Sequence, residues 1–308
     1  MTRELANRLF GMVAALVAVS LVTFLALATI PGDAASAMVG DSASQEQLTS
    51  LREQMGLDAS LPERYLAFAA GVLRGDLGRS LVSGRPVSSL ILERLPYTLL
   101  LAFTAVSAAV LIGGLTGTVA GVRAGTVIDT ALMSGMALGI AIPTFWSALL
   151  LVMFFALRLD WLPVVGATSA RHLVLPAVVL ALPTAAVLAR LLRSSLQDTL
   201  SADYIRTAHA KGLPARRVVT RHAFRNSLAP VAAVLGLQVG HLIAGAFVVE
   251  TIFAWPGLGR LTVQAIFDRD YPVVMGTTLV IAAGFLVINL LVDLAHGWLD
   301  PRVGGESL

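Results

Sequence analysis

Cysteine is absent from this chain of 308 residues, and lysine occurs only once, at Lys211. The lack of cysteine excludes a disulfide framework and a thiolate metal site. The single lysine follows Ala210, so the chain has no G-x-x-x-x-G-K-[ST] loop and is not expected to bind ATP in the P-loop manner. The five histidines are scattered without a ligand-type pair, and no metal site is expected among them: His172, His209, His222, His241 and His296.

Charge is scarce as well, because 13% of the residues are charged while 56% are apolar. A soluble domain needs more polar surface than this to cover itself. A membrane-spanning helix needs about 20 mostly apolar residues. The sequence therefore predicts an all-α polytopic membrane protein with six transmembrane helices. The six apolar stretches are 9–30, 97–121, 133–157, 173–193, 230–252 and 274–298.

The distribution of arginine predicts the orientation of these spans. Residues 194–229 carry an excess of arginine, and such loops remain in the cytoplasm. Counting spans from there places both termini, 1–8 and 299–308, in the cytoplasm. The segments 31–96 and 253–273 are then predicted to lie on the extracytoplasmic side.

The first span has the features of either a signal peptide or a membrane anchor. Arg3 and Arg8 precede it, and Ala26-Leu27-Ala28 resembles a cleavage site. Its apolar run is long for a signal peptide, so an uncleaved anchor is expected.

Short helices are predicted within the 31–96 segment. Leu48, Leu51 and Met55 would share one helical face. Ser60 and Glu63 have the spacing of a capping box at the start of a further helix. That helix is too short to cross a membrane, so it is expected to lie in the interface or to pack on the bundle.

Glycines recur at every fourth residue in two of the spans, where they let helix backbones approach closely. The helix that packs on them belongs either to the same chain or to a second membrane subunit, and the sequence leaves both possibilities open. These glycines are Gly113, Gly117 and Gly121 in the second span and Gly236 and Gly240 in the fifth.

The arginine-rich 194–229 segment contains signals for two short helices. The first is predicted from about Ala202 to Lys211, and Gly212 can take the left-handed conformation that ends a helix. Pro214 fits the first turn of the second helix. A bent, basic, helical loop on the inner face is predicted to dock a soluble partner. On the second helix, one predicted face holds Ala215, Val218, Val219 and His222, and another holds Arg217, Arg221 and Arg225, which can sit beside anionic headgroups.

The same segment resembles the conserved cytoplasmic loop of permease subunits of ATP-binding-cassette (ABC) importers, especially the dipeptide, oligopeptide and nickel permeases. The pattern D-Y-x-R-T-A-x-A-K-G-L of that family matches residues 203–213, and R-H-A-x-R-N-x-L-x-P matches residues 221–230. GDLGRSLVSGRPVSSLILERLPYTLLL, from Gly75, resembles the family's approach to the second span. VVETIFAWPGLGRLTVQAIFDRDYPVVMG, from Val248, resembles its signature after the fifth. The resemblance covers nearly the whole chain and is to the first of the two permeases of a dipeptide importer.

This resemblance implies a type I ABC importer permease fold with a cytoplasmic coupling helix, in the bacterial cytoplasmic (inner) membrane. The partners that it implies within the complex are a second homologous permease subunit and one or two P-loop ATPase subunits that dock on residues 203–217. An extracytoplasmic substrate-binding protein and membrane lipids are also implied, and no nucleic acid is. ATP and Mg²⁺ would be bound by the ATPase subunits, so the chain would bind no cofactor and would not be an enzyme by itself. The residues expected to contact the ATPase are Asp203, Tyr204, Arg206, Thr207, Ala208, Lys211 and Gly212.

Two further groups of residues are candidates for function. An extracytoplasmic turn is expected to face the binding protein through Glu250, Trp255, Pro256, Gly257 and Gly259. Polar residues within the spans either line the substrate pathway or form hydrogen bonds between helices. These residues are Gln238, His241 and Asn289.

The expected cargo is a short peptide, and import of nickel or haem by the same architecture remains open. An ion-coupled secondary transporter is a different possibility, favoured by inverted repeats, broken helices and ionisable residues at mid-membrane. The sequence shows no such repeat and no mid-span charge. A membrane enzyme is disfavoured because H-E-x-x-H and G-x-S-x-G motifs are absent.

Overall fold

The computed structural model of the chain describes residues 2–29, Glu46, Thr49 and residues 59–299. Within these residues the regular structure is helical, apart from one isolated bridge between Arg79 and Pro86. The predicted all-α fold class is therefore confirmed. The helices are α1 Thr2–Thr29, α2 Leu61–Leu73, α3 Val87–Val122, α4 Val127–Ala141, α5 Thr144–Leu151, α6 Arg171–Leu200, α7 Asp203–Ala210, α8 Ala215–Arg217, α9 Phe224–Ile252, α10 Leu258–Phe267 and α11 Tyr271–Leu299.

Four of the described helices are long and apolar enough to cross a membrane, and up to six spans result if each of two bent pairs counts as one. The four are α1, α3, α6 and α11. The first bent pair joins α4 to Thr144–Arg158, and the second joins Ala215–Gly240 to Gly245–Ile252 with a bend of 60°. The helix predicted around Leu48, Leu51 and Met55 lies outside the described residues.

The third predicted span, 133–157, is broken rather than straight. Its two halves meet at an angle of 112°, and the break falls at Ile142 and Pro143. Ile142 has extended backbone angles, φ −86° and ψ 124°, because the ring of a following proline excludes the α conformation. Residues Val152–Arg158 continue α5 as a π-helix. The apolar run predicted the span but did not predict this bend.

Several helix ends also differ from the predicted bounds. α3 begins at Val87, before the apolar run that starts at residue 97, and it carries Pro96 within it. α6 continues to Leu200, past the predicted limit of 193. The 253–273 segment, predicted as a loop, contains α10. α3 and α6 continue beyond their apolar runs, and α10 is too short to be found by a search for spans.

Residues 1–98 and 256–287 form one compact unit. Its core includes Val87, Ile91, Leu258 and Val274, with Phe68 of α2 packed against it. The capping box predicted at the start of α2 is present, and the backbone N–H of Ser60 donates to Oε2 of Glu63 at 3.0 Å. α2 packs on the bundle as expected, and its Tyr65 hydroxyl lies 2.9 Å from Oγ of Ser20 on α1.

Residues 99–255 and 288–308 form the second unit, in which α6 is the central helix. Many of its buried residues are alanines, and their small side chains let neighbouring helices approach closely. A β-carbon built on Gly113 would lie 2.6 Å from the carbonyl oxygen of Ala185, and one on Gly117 would lie 2.6 Å from that of Ala189. A β-carbon built on Gly236 would lie even closer to a γ-carbon of Val292. Gly113, Gly117 and Gly236 therefore lie at helix contacts within the chain.

Candidate coupling site

The predicted first helix of the 194–229 segment is α7, and we call residues 201–226, from the end of α6 to the first turn of α9, the coupling loop. Asp203 lies in its first turn, where a negative charge is favoured by the helix dipole. The hydroxyl of Thr207 donates to the carbonyl of Asp203 at 3.0 Å. Gly212 has a φ of +78° and donates its N–H to the carbonyl of His209 at 2.9 Å. Glycine takes this left-handed conformation without strain, so α7 ends as the sequence predicted.

One face of α7 is buried and the other is open. Ile205 is 2% exposed and Ala208 is 9% exposed, and both pack in a cluster with Leu196, Val218 and Ala223. We call this group the coupling cluster. The structure places Ala208 inside it, so that side chain faces its own chain and is not available to a docking partner. The exposed residues of the predicted set are Asp203, Tyr204, Arg206, Thr207, Lys211 and Gly212.

The second half of the coupling loop winds differently from the prediction. α8 is a short helix capped at Pro214, and residues Val218–Ala223 continue it as a π-helix into α9. The wider π-helical turn brings Val218 and Ala223 to the same buried side, whereas an α-helix would pair Val218 with His222. Ala215, predicted on the buried face, is exposed. The three arginines of the second face are exposed, as expected: Arg217, Arg221 and Arg225.

Hydrogen bonds fasten the coupling loop to the membrane helices. The hydroxyl of buried Ser227, on α9, lies within hydrogen-bonding distance of the carbonyl of Ser195 (3.2 Å) and of Oγ1 of Thr199 (3.1 Å), both on α6. The side-chain amide of Asn226 donates to the hydroxyl of Tyr204 at 2.9 Å. The start of α9, the end of α6 and α7 are thus held together at one place.

A second set of contacts at the same end of α6 was missed by the sequence analysis. Arg193 donates from Nε to Oδ1 of Asp129 at 2.5 Å and from Nη2 to Oδ2 at 2.7 Å. The N–H of Gly125 donates to the same carboxylate at 2.9 Å. The sequence shows Asp129 just before the third predicted span and Arg193 at the end of the fourth. That these two residues lie side by side is seen only in the fold.

The turn expected to face the binding protein is mostly buried, which corrects that expectation. Glu250, Trp255, Gly257 and Gly259 are buried, and Pro256 is half-buried. Trp255 packs in a cluster with Leu101, Leu175 and Phe253, and after the turn the chain enters α10. Its first backbone N–H, at Leu258, donates to Oγ1 of Thr98 at 2.8 Å in a buried bond. The turn therefore forms part of the packed interior.

The pathway candidates lie on α9 and α11. Gln238 and Asn289 are half-buried, so their polar groups are neither in the core nor fully exposed. The side chain of His241 lies outside the described residues. No cluster of three or more His, Asp and Glu side chains suited to a metal ion occurs in the part of the chain that the structure describes.

Comparison with known proteins places this geometry in a family. The family described as "Binding-protein-dependent transport system inner membrane component" matches residues 91–305, and its N-terminal counterpart matches residues 1–102. The glutathione transport system permease protein GsiC of Escherichia coli O6:H1 (strain CFT073) is 40% identical over 297 residues, which cover 96% of this chain and 97% of the relative. GsiC of Salmonella choleraesuis (strain SC-B67) is 41% identical over the same length and coverage.

Solved structures agree on the fold. An amino acid ABC transporter crystallised with histidines has a TM-score of 0.54 at 17% identity, covering 68% of this chain and 94% of that one. The MetNI methionine ABC transporter in an inward-facing conformation has a TM-score of 0.57 at 17% identity, with coverages of 68% and 96%. The fold is that of type I ABC importer permeases, and the chain belongs to the binding-protein-dependent transport system inner membrane component family, as a permease subunit of an ABC importer.

Proposed function

We propose that this permease subunit carries short peptides, in the size range of dipeptides and glutathione, across the cytoplasmic membrane. P-loop ATPase subunits, which bind ATP and Mg²⁺ in their own sites, drive it by docking on residues 203–217. A second homologous permease completes the membrane domain, and a binding protein delivers the peptide from the extracytoplasmic side. Both termini and the coupling loop lie in the cytoplasm.

The one-sided burial of α7, with one face packed on its own chain and the other open, is the observation that carries this proposal. Ile205 and Ala208 anchor the helix to its own chain, while Tyr204 is 45% exposed and the side chain of Arg206 is 80% exposed. A helix that used its whole surface for internal packing would not present these groups to solvent. The open face offers a partner both hydrogen-bonding groups and positive charge.

The attachment of α7 supports a mechanical role for docking. A partner that pushes on α7 pushes on the coupling cluster, because Ile205 and Ala208 are part of it. Leu196 of α6 lies in the same cluster, and Ser227 ties α9 to α6. Packed interfaces of this kind change between discrete arrangements rather than deforming continuously, which suits alternating access.

The cargo is proposed from the relatives. Proteins named glutathione transport permeases are 40–41% identical over nearly the whole chain, and glutathione is a tripeptide. Nickel and haem are the alternatives within the same architecture. The family is one of binding-protein-dependent transport, so an ion-coupled secondary transporter is set aside.

Purification of the chain from its native membrane in mild detergent, followed by mass spectrometry, tests the assembly. We expect a P-loop ATPase and a second permease to accompany it. In the variant Arg206→Ala/Lys211→Ala, which removes two exposed cations from the docking face, the ATPase is expected to be depleted while the second permease remains. The matched control is Arg158→Ala/Arg171→Ala, which removes two exposed cations elsewhere and should retain the ATPase.

Equal ATPase recovery from both double variants, and also after residues 203–217 are replaced by a Gly/Ser linker, would overturn the docking assignment. The cargo is tested separately by uptake of labelled glutathione, a labelled dipeptide and ⁶³Ni²⁺ into cells with and without the chain. Peptide uptake that depends on the chain supports the proposal. Dependence of nickel uptake alone would transfer the assignment to metal import.

A further inference from the structure

The ion pair between Asp129 and Arg193 is built more tightly than a surface pair. The two forked hydrogen bonds fix both the distance and the orientation of the guanidinium. The Asp129 side chain is 3% exposed, and the Arg193 side chain is 30% exposed. With the N–H of Gly125 as a third donor, the carboxylate is held from two elements at once.

The pair joins the first turn of α4 to the last part of α6. These helices run antiparallel, since Gly139 of α4 approaches the carbonyl of Leu182 while Asp129 meets Arg193. At Gly139 the two backbones lie close together, since a β-carbon built there would be 3.3 Å from the carbonyl oxygen of Leu182. The ion pair at Asp129 is a directional contact between the two helices, and it lies toward the end of α6 that is nearest the coupling loop.

The next turn of α6 contacts the coupling loop and the start of α9. Leu196 is one turn beyond Arg193 and is fully buried in the coupling cluster. Ser195 and Thr199 meet Ser227 on α9. Two successive turns of α6 therefore contact the coupling loop on one side and the start of the third span on the other.

We propose that Asp129 and Arg193 are positioning residues that transmit displacement of the coupling loop to α4, so that the third span moves with α6. This inference rests on the proposed docking of ATPase subunits on residues 203–217. Stability alone does not require the pair, because apolar residues of similar volume often stabilise a protein as well as a buried ion pair does. An ion pair with two parallel hydrogen bonds resists rotation and sliding more than an apolar contact does. We call this connection between α4 and α6 the joint.

Because this chain has no cysteine, two cysteines introduced into it are its only sites for thiol-directed labels, and the partner subunits are prepared in cysteine-free form. Spin labels at Ser134→Cys, on α4, and Thr220→Cys, in the π-helical part of the coupling loop, occupy exposed positions. The assembled complex with its ATPases is measured in lipid discs by pulsed electron resonance, with and without ATP-Mg²⁺ and vanadate. In the parent complex, the Ser134–Thr220 distance is expected to be the same in both nucleotide states.

Two variants weaken the joint. Arg193→Lys keeps both charges but removes the fork. Asp129→Asn/Arg193→Gln removes both charges together, so that no unpaired charge remains buried. In each, the label distance is expected to shift or broaden when ATP is trapped. Glutathione or dipeptide taken up per ATP hydrolysed is expected to fall by about fivefold or more.

The matched control is the exposed pair between Arg85 and Glu93, joined at 2.9 Å. Arg85→Lys and Arg85→Gln/Glu93→Gln should change neither the distance nor the uptake per ATP. If Arg193→Lys and the neutral pair at 129 and 193 behave like these controls, the proposed joint is overturned.

Failure of the docking proposal gives a different result. If the ATPases do not act through residues 203–217, replacing those residues leaves uptake per ATP unchanged. If docking is correct and only the joint is wrong, that replacement abolishes uptake while the Arg193 variant keeps the parent ratio. A merely structural pair would lower the yield of assembled complex but not the uptake per ATP of the complex that assembles.

Discussion

Asn226 and Tyr204, 22 residues apart in the chain, are joined by a hydrogen bond of 2.9 Å from the amide of Asn226 to the phenolic oxygen of Tyr204. Both side chains are exposed at the outer surface of the coupling loop. The bond connects the two sequence motifs that frame the loop, one beginning at Asp203 and the other at Arg221. It therefore joins α7 to the start of α9 through two exposed side chains.

Removal of this bond is expected to loosen α7 without disturbing membrane insertion. Tyr204→Phe and Asn226→Ala should each cost about 0.5–1.5 kcal/mol locally, since the groups remain in water. Amide hydrogen exchange in residues 203–213 should accelerate in both variants, and the double variant should add little to either. Thr220→Val is the control, because its hydroxyl bonds only the backbone of Arg216. Unchanged exchange in both single variants would show that the bond does not hold the loop.

The left-handed backbone at Gly212 is expected to be required for coupling. Proline fixes φ near −65°, so Gly212→Pro is incompatible with the observed +78° and also removes the N–H that bonds His209. ATP hydrolysis in the assembled complex should continue while peptide uptake falls. The complex should still insert and assemble, because Gly212 is exposed and a β-carbon built on it would have no neighbouring atom within 4 Å.

Gly75→Pro gives a matched control for that prediction. Gly75 has the same φ of +78°, also follows the end of a helix and also has open space around it. The two substitutions therefore impose the same backbone defect at different places. Peptide uptake that is normal in Gly212→Pro, or lost equally in both variants, would count against a specific role for the bend at Gly212.

The sequence predicted the coupling loop well because its signals are local. A glycine after Lys211 and a proline at 214 determine where the helices end and begin within a few residues. The winding at Val218 could not be predicted in this way. Val218 and Ala223, at the two ends of the π-helical turn, both enter the coupling cluster with Leu196, which lies on another helix.

Contacts between distant residues explain the other differences. Glu250 and Trp255 were expected to face outward because they adjoin a Gly/Pro-rich turn, yet both are buried. The pairing of Asp129 with Arg193 depends on the antiparallel alignment of α4 with α6. The local sequence around these residues indicates neither the burial nor the pairing. Both depend on helices that are distant in sequence and come together only in the fold.

Substitution at the glycine face of α3 is expected to separate α3 from α6. A methyl group on Gly113 or Gly117 would lie 2.6 Å from a backbone carbonyl oxygen, and backbone cannot rotate away as a side chain can. Gly113→Ala and Gly117→Ala should each destabilise the protein by about 1–3 kcal/mol. Thermal unfolding in detergent measures this effect.

Gly114 supplies the control for the glycine face, because it is adjacent and has nothing within 4 Å of a built β-carbon. Gly114→Ala should be neutral or stabilising by roughly 0.5–1 kcal/mol, since alanine loses less backbone entropy in a helix. Equal destabilisation at 113 and 114 would show that helix geometry, not contact with α6, determines the effect.

Charge reversal along the arginine face of the coupling loop is expected to disturb assembly or topology. Arg217, Arg221 and Arg225 are exposed, and each positive charge beside anionic lipid contributes about 1 kcal/mol. Replacing all three by glutamate should lower the yield of assembled complex, measured by co-purification of the second permease. Replacing all three by lysine keeps the charge and should preserve the yield. If the glutamate variant has unchanged yield and membrane orientation, the three arginines have no role in assembly or topology.

The carboxylate of Asp270 is expected to stabilise the loop before α3. It is buried, and it accepts hydrogen bonds from Oγ of Ser80 at 2.5 Å and from the N–H of Leu81 at 3.1 Å. Asp270→Ala leaves these donors without their acceptor, which should cost about 1–3 kcal/mol for each buried group left unsatisfied. Asp268→Ala, two residues earlier and exposed, removes a carboxylate that only Gln264 contacts and should have little effect. Thermal unfolding of the two variants side by side checks this, and equal midpoints would mean that the 80–82 loop is held by its other contacts.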